Sequence, residues 1–186
     1  MHARHVIMIA AVTFALLSPR AAVVGAQGMR HGAHDNRNDR NVLVEAVRQA
    51  TERFRDVNAA IAEGYAQFQG CVSGPDEGAM GVHYSKSSLF DDAITLETPE
   101  VLVYEPRNGR LHLVAAEYVT PAPAWDETHE DFDSPELMGH LFHYAGGPNR
   151  YGPTAIYELH VWAWKDNPKG AFADWNPKVS CAEWPQ

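Results

Sequence analysis

The dipeptide Asn108-Gly109 constrains this chain more than any other feature, because it is the strongest short hairpin signal and stands between two apolar runs, 100–106 and 111–119. A two-residue type I′ loop pairs Arg107 with Arg110 and fixes the register behind it. In that register Leu102 and Tyr104 share a face with Leu111, Leu113, Ala115 and Glu117. Val101, Val103 and Glu105 share the other with His112, Val114, Ala116 and Tyr118. Both faces are largely apolar, so the hairpin is expected at the centre of a sheet covered on two sides.

Two further strands follow from composition and alternation, 79–84 and 155–164. Upstream, Leu43, Val47, Ala50, Phe54, Val57 and Ile61 step by 4, 3, 4, 3 and 4, the spacing of one apolar stripe on an α-helix. Asn41 can cap its start and Gly64 its end, so the spacing predicts one long helix over about 42–63. Glu45, Arg48 and Glu52 on the far side read as a solvated face. The span 121–153 is long for a plain connection and rich in Pro, Asp, Glu and Gly, and the segment 166–186 holds Pro168, Pro177 and Pro185. The expected fold class is therefore α+β: one long N-terminal amphipathic helix packed on a mainly antiparallel sheet, within a single globular domain over 41–186.

The first 26 residues read as a secretory signal peptide. Arg4 supplies the basic start, Val6 to Leu17 the apolar stretch, and Val24-Gly25-Ala26 the small residues before a cut. The apolar run is shorter than the ~20 residues a spanning helix needs, so no membrane span is expected to be retained. Residues 27–40, nearly devoid of apolar side chains, read as a flexible leader. Loss of Arg4 and Arg20 takes the formal charge from −9 to −11, which speaks against nucleic acid as a partner. The expected compartment is periplasmic or extracellular, where Cys71 and Cys181, the only two cysteines, can persist as a disulfide. Such a bridge closes a loop of roughly 110 residues, for which chain entropy gives about 4–5 kcal/mol.

Polar residues on faces that should be buried mark the candidate site. Glu158 and His160, two apart on one strand, point to the same side. Glu117 interrupts an apolar hairpin face, where a carboxylate must be neutral, paired or bound to a cation. His83 lies in the Gly-rich GAMGVHY, where missing side chains let a ligand approach. His140 and His143 are three apart in GHLFHY and face alike only in a helix; His143, flanked by aromatics, ranks above His140. Imidazole with carboxylate suits Zn, Cu, Fe or Mn, and three protein ligands with an open position make a site catalytic in type. The expected ligand set is His83, Glu117, His143 and His160, with Glu158 as an outer partner or alternate ligand. The competing expectation is that the histidines bond to backbone carbonyls and the carboxylates pair with Arg107, Arg110 or Arg150.

No H-E-x-x-H, H-x-H, G-x-S-x-G or G-x-x-x-x-G-K pattern occurs, so no reaction is specified by motif. Two other readings stand beside the metal site. Trp162, Trp164, Trp175 and Tyr157 could floor a pocket for a small organic ligand. The helix face bearing Glu45, Arg48 and Glu52 could bind a partner in the cell envelope.

The phrases GCVSGPDEGAMGVHY (70–84), EVLVYEPRNGRLHLVAAEYV (100–119) and YELHVWAWKDNPKGAFADWNPKVSC (157–181) resemble those of a family of small exported bacterial proteins described only as uncharacterised. The resemblance spans about 65–181. It implies export and one folded domain, and brings no activity, cofactor or catalytic residue with it.

Overall fold

The computed structural model describes residues 35–129 and 133–185. The expected signal peptide, and residues 27–34 of the expected leader, lie outside the described residues. The architecture is dominated by a six-stranded antiparallel sheet. In chain order its strands are β1 (Ala66–Gly74), β2 (Gly78–Ser85), β3 (Val101–Arg107), β4 (Arg110–Pro121), β7 (His143–Ala145) and β8 (Ile156–Val161), arranged β1-β2-β3-β4-β8-β7. A separate two-stranded ribbon pairs β5 (Glu136–Leu137) with β6 (His140–Leu141).

The single long helix is the expectation that fails. The 42–63 stretch is divided between α1 (Asp35–Thr51), a 3-10 turn (Glu52–Arg55) and the short α2 (Val57–Ala62). The break has a local cause. Thr51 turns its hydroxyl back onto the Val47 carbonyl (2.7 Å), and Asp56 takes an extended conformation (φ −92°, ψ 112°). There its carboxylate accepts from the Asn58 amide (3.0 Å) as the N-cap of a new helix. The reset rotates the stripe: Leu43, Val47 and Phe54 are buried, but Ala60 takes the inward place and Ile61 lies half exposed. Helix α1 also begins at Asp35, taking in the last residues read as leader. A third helix, α3 (Ala122–Thr128), follows β4 directly.

These helices cover one face of the sheet, against Val82, Tyr84, Leu102, Tyr104, Leu113, Ala116, Tyr118, Leu159 and Val161. The opposite face carries Val101, Val103, Ala115, Val119, Ile156 and Trp162 and is covered by the C-terminal segment through Val179 and Cys181, with Phe90 and Tyr151. Cys71 on β1 and Cys181 form the disulfide, their Cα atoms 5.5 Å apart. The segment is also pinned to β2 by a bridge between Asn176 and Ala79.

The hairpin forms at Asn108-Gly109, both with positive φ (53° and 68°), and Arg107 pairs with Arg110. Its faces differ from the expected ones beyond four residues. Tyr104 pairs with Leu113 but Val103 pairs with Ala115, so Val114 is an extra residue on β4. One inserted residue flips every side chain after it. Glu117 therefore pairs with Val101 and shares the face of Val103, not that of Leu102 and Tyr104. The bulge decides which side of the sheet receives the carboxylate.

Candidate functional site

On that second face the sheet register sets three polar rows side by side. Glu117 on β4 pairs with His160 on β8; Glu158 on β8 pairs with His143 on β7; and His83 on β2 pairs with Val103 on β3, two residues along the strand from Val101, the β3 partner of Glu117. Antiparallel pairs place their Cβ atoms within about 5.5 Å on one face, so residues far apart in the chain become neighbours. Glu117, His83 and His160 are fully buried, and Glu158 nearly so.

The segment 146–152, between β7 and β8, delivers the remaining members. The Arg150 guanidinium donates to Oε1 of Glu117 and to Oε2 of Glu158 (2.5 Å), joining the two buried carboxylates. The Tyr151 hydroxyl donates to Oε2 of Glu117. This segment reaches the far edge strand, where Gln69 donates to the Arg150 carbonyl (2.6 Å) and Phe68 stacks on Tyr151 with ring centroids 5.6 Å apart. The pairing with Arg150 is one of the alternatives the sequence left open; Arg107 instead approaches Glu105.

At the outer end, His143 Nε2 lies 2.9 Å from Glu158 Oε1 and 3.7 Å from Asp174 Oδ1. These three ligand-capable atoms all lie within 4.8 Å of one another. His143 is about half exposed and Asp174 about one-third, whereas Glu158 forms the buried floor. At the inner end, His83 Nε2 and His160 Nδ1 each stand 3.7 Å from a different oxygen of Glu117. That is beyond hydrogen-bond length. No nitrogen of either ring completes a hydrogen bond of good geometry among the described residues, the Gly81 backbone being the one hydrogen-bonding group close to the His83 ring.

The electrostatics divide along the same line. Burial holds the His83 ring down to about 4 despite the nearby Glu117, and burial likewise lowers His160, so both imidazoles are neutral at pH 7. Burial pushes the Glu117 carboxyl up, yet the attraction of protonated His160, of the Arg150 guanidinium and of protonated His83 holds it well below the usual carboxylate range; with both rings neutral at pH 7, Arg150 is the cation that remains. Burial raises Glu158 to about 7, and the hydrogen bond to Glu158 raises His143. Both members of the outer pair therefore hold a proton more readily than the free side chains, while the inner carboxylate stays ionised.

The expected ligand set is thus brought to one face but in two groups. His83, Glu117 and His160 cluster inside. His143 pairs with Glu158, the expected outer partner, and not with Glu117. His140 does not join: the GHLFHY stretch is extended and not helical, and the His140 ring packs on Phe172 with centroids 4.4 Å apart. Asp174 and Tyr151 were not legible as site residues, because they arrive on irregular segments without a hydrophobic period, whereas Arg150 was among the three arginines expected as partners of the carboxylates. The aromatic floor is not assembled either. Trp162 belongs to the core of the second face, while Tyr157 and Trp164 belong to the helix-covered one.

Fold and site together define a disulfide-linked antiparallel-sheet protein with a histidine–carboxylate cluster on one face. Comparison with family models, curated proteins and solved structures finds no match. The geometry itself carries the functional reading.

Proposed function

We propose that this is an exported metal-binding protein whose His143, Glu158 and Asp174 hold one divalent transition-metal ion. The observation that carries this reading is the convergence of one imidazole and two carboxylates, all within 4.8 Å, around a partly exposed rim. One nitrogen and two oxygens suit Zn, Mn or Fe(II), and three protein ligands leave a position for water or substrate. Arg150, donating to the second oxygen of Glu158, orients that carboxylate as outer-shell partners of metal ligands do. Export is supported by the disulfide and by the signal-like start. Among the described residues no helix is long and apolar enough to cross a membrane.

The test is metal content by mass spectrometry and Zn(II) titration of the disulfide-bonded chain without a histidine tag. The wild type should hold close to one equivalent after brief dialysis, and the double variant His143→Ala/Asp174→Ala should lose it. A double variant that keeps the wild-type stoichiometry and affinity removes this ligand set.

A further inference from the structure

We propose a second, inner metal site, made by Glu117 with His83 and His160 and closed by Arg150; it does not rest on the outer group. The first observation is where the unsatisfied groups lie. Of the six buried side-chain polar atoms without a partner among the described residues, five belong to His83, His160 and Arg150. Leaving such atoms unpaired is destabilising, and a concentration of them at one carboxylate marks a place built for something else to bind.

The second observation is the spacing. Each imidazole nitrogen stands 3.7 Å from the nearer Glu117 oxygen. Metal bonds to His nitrogen and carboxylate oxygen are about 2.0–2.2 Å, so each gap has the span of one nitrogen–metal–oxygen bridge, and one ion takes both rings only when the Glu117 carboxylate turns as Arg150 leaves it. The third is chemical type. Two His with one Glu is a catalytic-zinc donor set.

What holds the site shut is Arg150. Its guanidinium takes Oε1 of Glu117 and supplies the positive charge that the buried carboxylate needs. The outer donors converge more closely than the inner ones, and both oxygens of the inner carboxylate are engaged, one by Arg150 and one by Tyr151. A metal ion and the guanidinium are alternatives for the same charge. Entry therefore exchanges one cation for the other, with the 146–152 segment lifting from Gln69 and Phe68 as Arg150 withdraws.

The experiment compares Cu(II) binding to wild type, Arg150→Gln and His83→Gln/His160→Gln, with nitrogen couplings in the electron paramagnetic resonance spectrum counting the imidazole ligands. Arg150→Gln should show a two-nitrogen species of roughly tenfold or higher affinity than the inner site has in wild type, while the one-nitrogen outer species weakens because Glu158 loses its orienting donor. His83→Gln/His160→Gln should lack that species and keep the one-nitrogen species of the outer group. An Arg150→Gln spectrum with no two-nitrogen species and no gain in affinity overturns the proposal. Should the double histidine variant not fold, the imidazole ¹⁵N resonances of Arg150→Gln titrated with Zn(II) decide: shifts at the two buried rings support the site, and unshifted rings overturn it. Failure of the outer reading shows separately, as a one-nitrogen species untouched by His143→Ala/Asp174→Ala.

Discussion

At the scale of single residues, two buried glutamates solve the same problem in opposite ways. Glu117 stays charged because the Arg150 guanidinium and the Tyr151 hydroxyl both donate to it. Glu100, equally buried, has only backbone for a partner: its Oε2 accepts from the Val119 amide (2.9 Å). Burial accordingly raises its carboxyl to about 8. The folded state then binds more protons than the unfolded state between about pH 4.5 and pH 8, so stability falls as pH rises through that window, by up to about 1.4 kcal/mol per pH unit. Glu158, raised to about 7, acts in the same direction over the lower part. Glu100→Gln should therefore remove the fall between pH 7 and pH 8, with the amide oxygen still accepting from Val119. Thermal melts across pH in chelator-treated protein measure this, and an unchanged slope above pH 7 would place the proton elsewhere. Glu117 was legible because it interrupts an alternating apolar face. Glu100 was not, since a glutamate at the start of an apolar run looks like any solvated strand end.

Elements were legible where periodicity and turn chemistry agree, and illegible where one residue changes the phase. The hairpin turn formed as expected because Asn108-Gly109 supplies two residues tolerant of positive φ. The bulge at Val114 carries no such signature: Leu111 to Val119 reads as an unbroken strand, and only pairing with β3 reveals the extra residue. The helix failed for a related reason. A 4-3-4-3-4 stripe counts spacing but does not register that Asp56 can cap a new helix as well as face solvent. Two glycines separate backbone strain from crowding. A Cβ at Gly109 meets nothing within 4 Å, so Gly109→Ala should cost only the left-handed conformation, about 1–2 kcal/mol. Gly81, at φ 121°, would place a Cβ 2.6 Å from the Tyr104 carbonyl oxygen, two residues from His83. Gly81→Ala should exceed Gly109→Ala by on the order of 2 kcal/mol, because strand β2 must move away from β3. Urea unfolding of both variants tests the ranking, and equal costs would mean that β2 and β3 part easily beside the inner histidines.

At the scale of the whole molecule, the segment after β8 ties the fold to the site. It has no regular structure, yet it supplies Asp174 to the outer group and Val179 to the core of the same face. Two kinds of restraint hold it. The Cys71–Cys181 disulfide acts from outside the native contacts, mainly by limiting the unfolded chain. Native hydrogen bonds act directly: Asn176 pairs with Ala79 in both directions (3.2 and 3.1 Å), the Asn167 side chain donates to the Trp175 carbonyl (3.0 Å), and the Trp162 amide donates to Ala171 (2.9 Å). These contacts bracket Asp174 on both sides. The disulfide closes its loop seven residues further on. Replacing both cysteines by serine should therefore lower unfolding stability by about 4–5 kcal/mol while leaving Zn(II) affinity at the outer group within roughly twofold, measured without denaturant. The opposite division, a large loss of affinity with little loss of stability, would make the disulfide part of the site's geometry. Asn176→Ala makes the complementary change: it leaves the unfolded chain as constrained as before but removes side-chain bonds that fix the segment to its neighbours, the Asp166 carbonyl and the Lys178 amide. It should weaken metal binding more than the cysteine replacement does. That ordering follows only if Asp174 is positioned by native contacts and not by the covalent link.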